Sequence, residues 1–259
     1  DIIISQNFLE LNLKTNYNTP KQFRQDVRTA SWTKPTSGVM DTYVQANVVI
    51  LPEKYATDFK EYCNLNNKPC PLLEVLDPGS YFTDIVAAGA DIRTDVPKYK
   101  IYKHGALEDE VTDLITAWRD DLVTFLLGCS FSFEYALQAA GIPIRHQELG
   151  INVPMYVTNI LTTPSEQFHG PMVVSMRPIA EDRLDECINI TKGVGNNHGS
   201  PIHLGTPETI GILDISSPDY GDAVPIKQGE VPVFWACGVT PQAVALLAKP
   251  ELMITHSPG

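Results

Sequence analysis

The chain has 259 residues, 43% of them hydrophobic, enough to bury a substantial core as one large domain or two modest ones. Its formal net charge of -12 argues against nucleic acid and anionic membranes as partners, because both are held by clustered Lys and Arg. A few local arginines can still dominate a pocket for a small anion. The five scattered cysteines, Cys63, Cys70, Cys129, Cys187 and Cys237, make a poor disulfide framework and fit a reducing, cytoplasmic setting. No basic-then-apolar leader opens the chain, and no apolar run approaches the roughly 18 residues that cross a bilayer. The sequence starts at Asp1 rather than Met and stops after "THSPG", so both ends are open to trimming.

In chain order, Thr19 and Pro20 open a first helix with Phe23 and Val27 on one face and Arg24 and Arg28 on another. "YVQANVVILP" reads as a buried strand ended by Pro52, "EKYATDFKEYCNLN" as a helix and "CPLLEVL" as a second strand. A polar loop follows over 91–104, with a short strand at Tyr99 to Tyr102. From Glu108 the spacing of Val111, Leu114, Ile115, Trp118, Leu122, Phe125 and Leu126 predicts a helix ending at Gly128. Ser130 or Ser132 then starts another, closed by Gly141. "VPMYVTNIL" and "GPMVVSMRPI" read as paired strands and "EDRLDECINITKG" as a helix, a smaller strand-strand-helix unit over 148–199. Residues 1–147 and 200–259 form the main domain, with "ETIGILDIS", "VPVFWACG" and "LMITHS" as strands and "TPQAVALLAKP" as a helix. The expected class is α/β, a layered mixed sheet flanked by helices with a smaller inserted α+β unit, and no internal repeat stands out.

Four groups of residues could carry chemistry. In "LLGCSFSFEYALQAAG" the first helical turn has main-chain N–H groups without partners, so Cys129, Ser130 and Ser132 could cradle an anion, with Glu134 one turn on. A thiol there is commonly acidified, although Cys129 could equally be a small core residue. His198 and His203 lie in a Gly- and Pro-rich loop suited to acid-base work, and their spacing does not make a zinc site. Glu230, Cys237 and Thr240 flank a strand that turns into a helix. Arg177 ends an apolar strand, where a guanidinium demands an acceptor such as a carboxylate. No GxSxG elbow, Walker loop, HExxH or CxxC pair is present.

The blocks "PTSG", "YVQANVVILP", "CPLL", "LLGCSFSFEYAL", "NVPMYVT", "VVSMRPI", "HGSPIHLG", "IGILDISSPDYGD", "GEVPVFWACGVTPQ" and "ITHSPG" run in order through nearly the whole chain. With them the sequence resembles the D-glutamate cyclase family, also called hydro-lyases. It departs from that pattern at Thr42 and Thr206. The resemblance implies an α/β fold with a smaller second unit and dehydration chemistry: D-glutamate closing to 5-oxo-D-proline with loss of water, or elimination of a hydroxyl from a related small acid.

The residues are then assigned as follows. The helix start at Cys129 to Ser132, with Arg177 and Thr240, binds the carboxylate of a small acid or amino acid. His198 or His203 is the base, Glu230 or the other histidine donates the leaving-group proton, and Cys129, Glu134 and Cys237 complete the catalytic set without cofactor or metal. Two alternatives stand beside this: a cysteine-dependent acyl transferase or amidohydrolase with Cys129 as nucleophile, and a non-catalytic binder of small acids. The pattern leaves a homodimer open.

Overall fold

The computed structural model describes residues 17–195 and 198–259. Two sheets carry the fold. The larger holds β1 (Ala46–Pro52), β2 (Leu72–Val75), β3 (Tyr99–Lys103), β4 (Ala106–Val111), β5 (Leu122–Gly128) and β10 (Met253–His256) in the order β2-β5-β1-β10-β3-β4. The smaller holds β6 (Met155–Leu161), β7 (Pro171–Ala180), β8 (His203–Leu204) and β9 (Glu230–Ala236) in the order β6-β7-β9-β8. The helices are α1 (Pro20–Arg28), α2 (Glu53–Leu65), α3 (Phe131–Ala139), α4 (Arg145–Leu149), α5 (Leu184–Gly193) and α6 (Thr240–Ala248). No helix among the described residues is long and apolar enough to cross a membrane.

The layered α/β class is as the sequence suggests, but every ladder is antiparallel where a mixed sheet was expected. The smaller sheet takes its strands from Met155 to Ala236, so β8 and β9 pair there rather than with the larger sheet, beyond the 148–199 boundary.

The helix expected over 108–128 is instead β4, an irregular stretch and β5. β5 lies between β1 and β2, and all its residues are buried, so it reads as a continuous apolar run. Periodicity summed across that run and the preceding turn imitates a helical stripe. "ETIGILDIS" is likewise a short 3-10 turn, Pro207–Ile210, closed by Gly211 at φ 84°, with Ile210 and Ile212 buried.

The structure also contains an internal repeat that the sequence conceals. Ala46 pairs with Gly128 just before Cys129, and Val174 pairs with Ala236 just before Cys237. The Cys129 N–H donates to the Gln45 carbonyl at 3.0 Å, and the Cys237 N–H donates to the Val173 carbonyl at 2.9 Å. Ser132 Oγ accepts the Gln45 N–H at 2.8 Å, just as Thr240 Oγ1 accepts the Val173 N–H at 3.0 Å. Each half is a strand pair followed by Cys, two residues, a hydroxyl side chain and a helix.

The helices are exchanged between the halves. Phe133 and Leu137 of α3 pack on Ile179, Val233 and Trp235 of the smaller sheet. Val244 and Ala245 of α6 pack on Val49, Leu51, Phe125 and Leu127 of the larger. The seam between the sheets therefore lies where the two cysteine turns meet.

At that seam Gly238 sits so close to Asn47 that an added Cβ would lie 1.9 Å from Asn47 Nδ2. Asn47 cannot swing away freely, because its amide donates to the Gly128 carbonyl at 2.9 Å. Gly238→Ala is expected to destabilise the protein by about 1–3 kcal/mol through overpacking. Asn47→Ala in the same chain should recover part of that loss, as urea unfolding of the single and double variants would reveal.

Candidate functional site

The turn after β5 and the middle of β7 meet in a buried polar cluster. Glu134, on the first turn of α3, and Arg177, from β7, are 0% and 1% exposed and form an ion pair. Arg177 Nε donates to Glu134 Oε1 at 2.9 Å, its Nη1 to Ser175 Oγ at 2.8 Å and its Nη2 to Ser130 Oγ at 3.1 Å. The guanidinium also lies 4.9 Å from the Phe133 ring and 5.5 Å from the Trp235 ring. His146 Nε2 stands 3.2 Å from Glu134 Oε1, while Ser37 Oγ and Gln147 Nε2 donate to Oε2 at 2.9 and 2.6 Å. Burial alone would raise the Glu134 carboxyl, but His146 and Arg177 hold it down at about 2.

Arg177 therefore does find a carboxylate, as its buried strand position demands, but the partner is the protein's own Glu134. The acceptor expected from a substrate carboxylate is thus supplied within the protein. Most of the amides in the expected cradle are engaged within the protein as well. The Cys129 N–H goes to Gln45, the Ser132 and Phe133 N–H groups close on the Cys129 and Ser130 carbonyls, and the Phe131 N–H reaches the Cys129 thiol. Ser132 Oγ is held by the Gln45 main chain, and Thr240 Oγ1 by Val173 and by the Cys237 carbonyl at 2.7 Å.

Cys129 and Cys237 come together in an apolar cluster with Phe131, Val153, Met155 and Val239. Burial pushes the thiols up to about 12 and about 11, which keeps both protonated at neutral pH rather than acidified as a thiol at a helix start commonly is. All five cysteines are free.

His198 is fully buried, with Nδ1 donating to the Lys68 carbonyl at 2.6 Å and Nε2 without a partner among the described residues. Burial first, and then the charge of Arg177, lowers its pKa to about 4. His203 stands apart. It pairs with Phe234, whose side chain joins the cluster of Tyr156 and Met176, whereas Trp235, the next residue, faces Phe133 on the opposite side. Its Nε2 is engaged with the Thr206 carbonyl at 2.7 Å. Glu230 is also elsewhere, at the first residue of β9, bound to Arg145 at 2.6 Å and to the Lys227 N–H at 2.7 Å. β9 separates it from Cys237 by seven residues, roughly 20 Å of strand.

The open space lies on the other side of Gln45. A cleft of about 810 Å³ is bounded by α1, the loop from Thr33 to Ala46, the turn at Val86 to Ala88, the stretch Asp95 to Lys98 and the residues from His256 onward. Its wall is shared with the polar cluster: Ser37 reaches inward to Glu134, and Thr36 Oγ1 donates to Gln45 Oε1 at 3.0 Å. Four basic residues, Lys21, Arg24, Lys34 and Lys98, line it against one acid, Asp95; Arg24 lies 3.5 Å from Asp95 and Lys98 3.3 Å from Glu110, which leaves Lys21 and Lys34, both exposed, to meet a ligand. In a chain with 19 basic and 31 acidic residues, that is a local reversal of sign.

His256 lines the cleft and is held neutral: burial, then Lys100, lowers its pKa to about 4. Its Nδ1 lies 3.3 Å from the Val48 nitrogen and 3.4 Å from the Val48 oxygen. The same peptide neighbours can thus satisfy Nδ1 whether it accepts or donates, leaving Nε2 able to donate or accept in turn. Sequence reading missed His256, Ser37, His146, Gln147 and Ser175. His256 sits on a strand read only as core, and the others carry no motif spacing. No group of three or more His, Cys, Asp or Glu able to hold a metal ion is present among the described residues.

Comparison with known proteins agrees with the resemblance in the sequence. The profile described as D-glutamate cyclase matches residues 123–259. A protein named "Putative hydro-lyase" from Bacillus licheniformis is 56% identical over 95% of this chain and 94% of its own. Proteins named in the same way from Geobacillus kaustophilus and Psychrobacter arcticus are 54% and 56% identical, covering 92% and 93% of this chain and 91% and 92% of theirs. Among solved structures, a nitrogen repressor-like protein from Methanococcus jannaschii covers 91% of both chains with a TM-score of 0.39 and 9% identity, too slight a likeness to argue from. On the strength of these matches, the chain belongs to the D-glutamate cyclase family.

Proposed function

We propose that this protein is a dehydrating lyase for a small carboxylate bearing an amine or hydroxyl, with D-glutamate, closing to 5-oxo-D-proline, as the first substrate to test. One observation carries the reading: a neutral imidazole, His256, on the wall of a cleft lined by basic side chains. The family supports the reaction class and the cleft supplies what it needs. Lys21 and Lys34 attract the α-carboxylate.

His256 Nε2 takes a proton from the ammonium, which frees the nitrogen pair to attack the side-chain carboxyl carbon. The C–N bond forms, the imidazole passes the first proton to a carboxyl oxygen, takes the second from the nitrogen and delivers it to that oxygen as the C–O bond breaks. The two protons lost by nitrogen leave with that oxygen as water, so no cofactor is needed for balance. Holding the folded rotamer contributes most, because ring closure is intramolecular. The Glu134–Arg177 cluster positions the loop from Ser37 to Gln45 that forms the cleft wall.

Incubation of the purified chain with D-glutamate should yield 5-oxoproline, detected by mass spectrometry as loss of one water. Saturable binding without turnover across a panel of amino and hydroxy acids would instead favour a binding protein.

A further inference from the structure

The cleft is larger and more apolar than a five-carbon diacid requires. At about 810 Å³ it falls in the range that encloses a drug-sized molecule. Its walls carry Val39, Met40, Val44, Val86, Val96 and Pro97, contributed by three separate segments. One of those walls is fixed in advance. The Glu74 carboxylate accepts the main-chain N–H groups of Asp84, Ile85 and Val86 at 2.8, 3.1 and 2.8 Å, which pins the turn that presents Val86 to the cleft. The basic residues lie on the same cleft, Lys21 and Lys34 on the exposed surface.

We infer that the cleft takes a carboxylate with an extended apolar chain, its headgroup at Lys21 and Lys34 and its chain along Val44, Val86 and Val96. The inference rests on the cleft being the substrate site and names the substrate class: a hydroxy acid of medium chain length, which loses its hydroxyl as water, rather than a bare diacid. A charged head and an apolar tail match the two surfaces present, whereas glutamate would leave Val44, 61% exposed, facing water.

The test is calorimetric titration of the full chain with butanoate, hexanoate, octanoate and decanoate, each below its micellar concentration, with octan-1-ol and D-glutamate as controls. Each buried methylene should tighten binding roughly fourfold, with a heat-capacity change that grows more negative along the series. Octan-1-ol should bind at least about tenfold more weakly than octanoate. Val44→Asp, at an exposed position that does not threaten folding, should flatten the series, and Lys34→Ala, also at an exposed position, should weaken every acid while leaving octan-1-ol unchanged.

A flat chain-length series, equal binding of the alcohol, or indifference to both substitutions would overturn the inference. Turnover of D-glutamate with a flat series would reject this substrate class and keep the dehydrating function. A steep series with no turnover of any amino or hydroxy acid would reject the function and keep the ligand class.

Discussion

Glu134→Ala is expected to lower the stability of the protein by about 3–5 kcal/mol, the cost of leaving a buried charge without its partner. Arg177 is 1% exposed, and two of its nitrogens donate to Glu134, so the variant strands a guanidinium between the Phe133 and Trp235 rings. Substituting both members, Glu134→Leu with Arg177→Met, removes both charges and should return most of the loss, because an apolar pair of similar volume often matches a buried ion pair. Urea unfolding of the wild type, both single variants and the double variant closes the cycle. A single variant within about 0.5 kcal/mol of the wild type would mean that the pair is neither dry nor rigid.

The pH dependence has a definite sign. The Glu134 carboxyl at about 2 lies below the ordinary range near 4.3, so the folded state holds its proton less tightly than the unfolded state. Its contribution is complete above the ordinary value and is lost as the pH falls through the window down to about 2. His198 acts at higher pH. Its pKa is lowered to about 4, so between pH 6.5 and 4 the unfolded chain takes up a proton that the folded chain refuses, and stability falls with pH there. The Glu134→Ala variant should keep the upper decline and lose the lower one.

How much of this is legible in the sequence depends on how local each signal is. α1 announces itself through Thr19, whose hydroxyl accepts the Gln22 N–H, and Pro20 behind it. β7 shows its ten residues as an apolar run, and Arg177 within that run correctly foretells a buried acceptor. The identity of the acceptor is not local, since Glu134 is 43 positions away on a helix crossing from the other half of the molecule. The repeat escapes notice for a related reason. Only a cysteine and a hydroxyl three positions later recur between "CSFSFE" and "CGVTPQ", and the match lies in main-chain partners, which residue names do not encode. Glu230 and His203 drew attention as reactive side chain types, but an arginine and a turn carbonyl engage them, and their sequence surroundings do not reveal that.

Replacing His256 is expected to have the largest effect on turnover. His256→Asn keeps an amide near the Val48 peptide group, which Nδ1 now faces at 3.3 Å, and deletes the Nε2 edge. If that edge moves the proton, 5-oxoproline formation should fall by about 10²–10⁴ in kcat, with substrate affinity and unfolding midpoint little changed. The pH profile separates this from a structural role. An ordinary histidine base would lose activity below about pH 6.5, whereas one held at about 4 stays neutral through that range. The acidic limb of kcat/KM should therefore lie near pH 4 in the wild type, provided the fold persists there, and should be absent from the residual activity of the variant. Activity within about fivefold of the wild type, or a limb at the ordinary histidine value, would place the proton transfer on another group and leave His256 as a packed wall of the cleft.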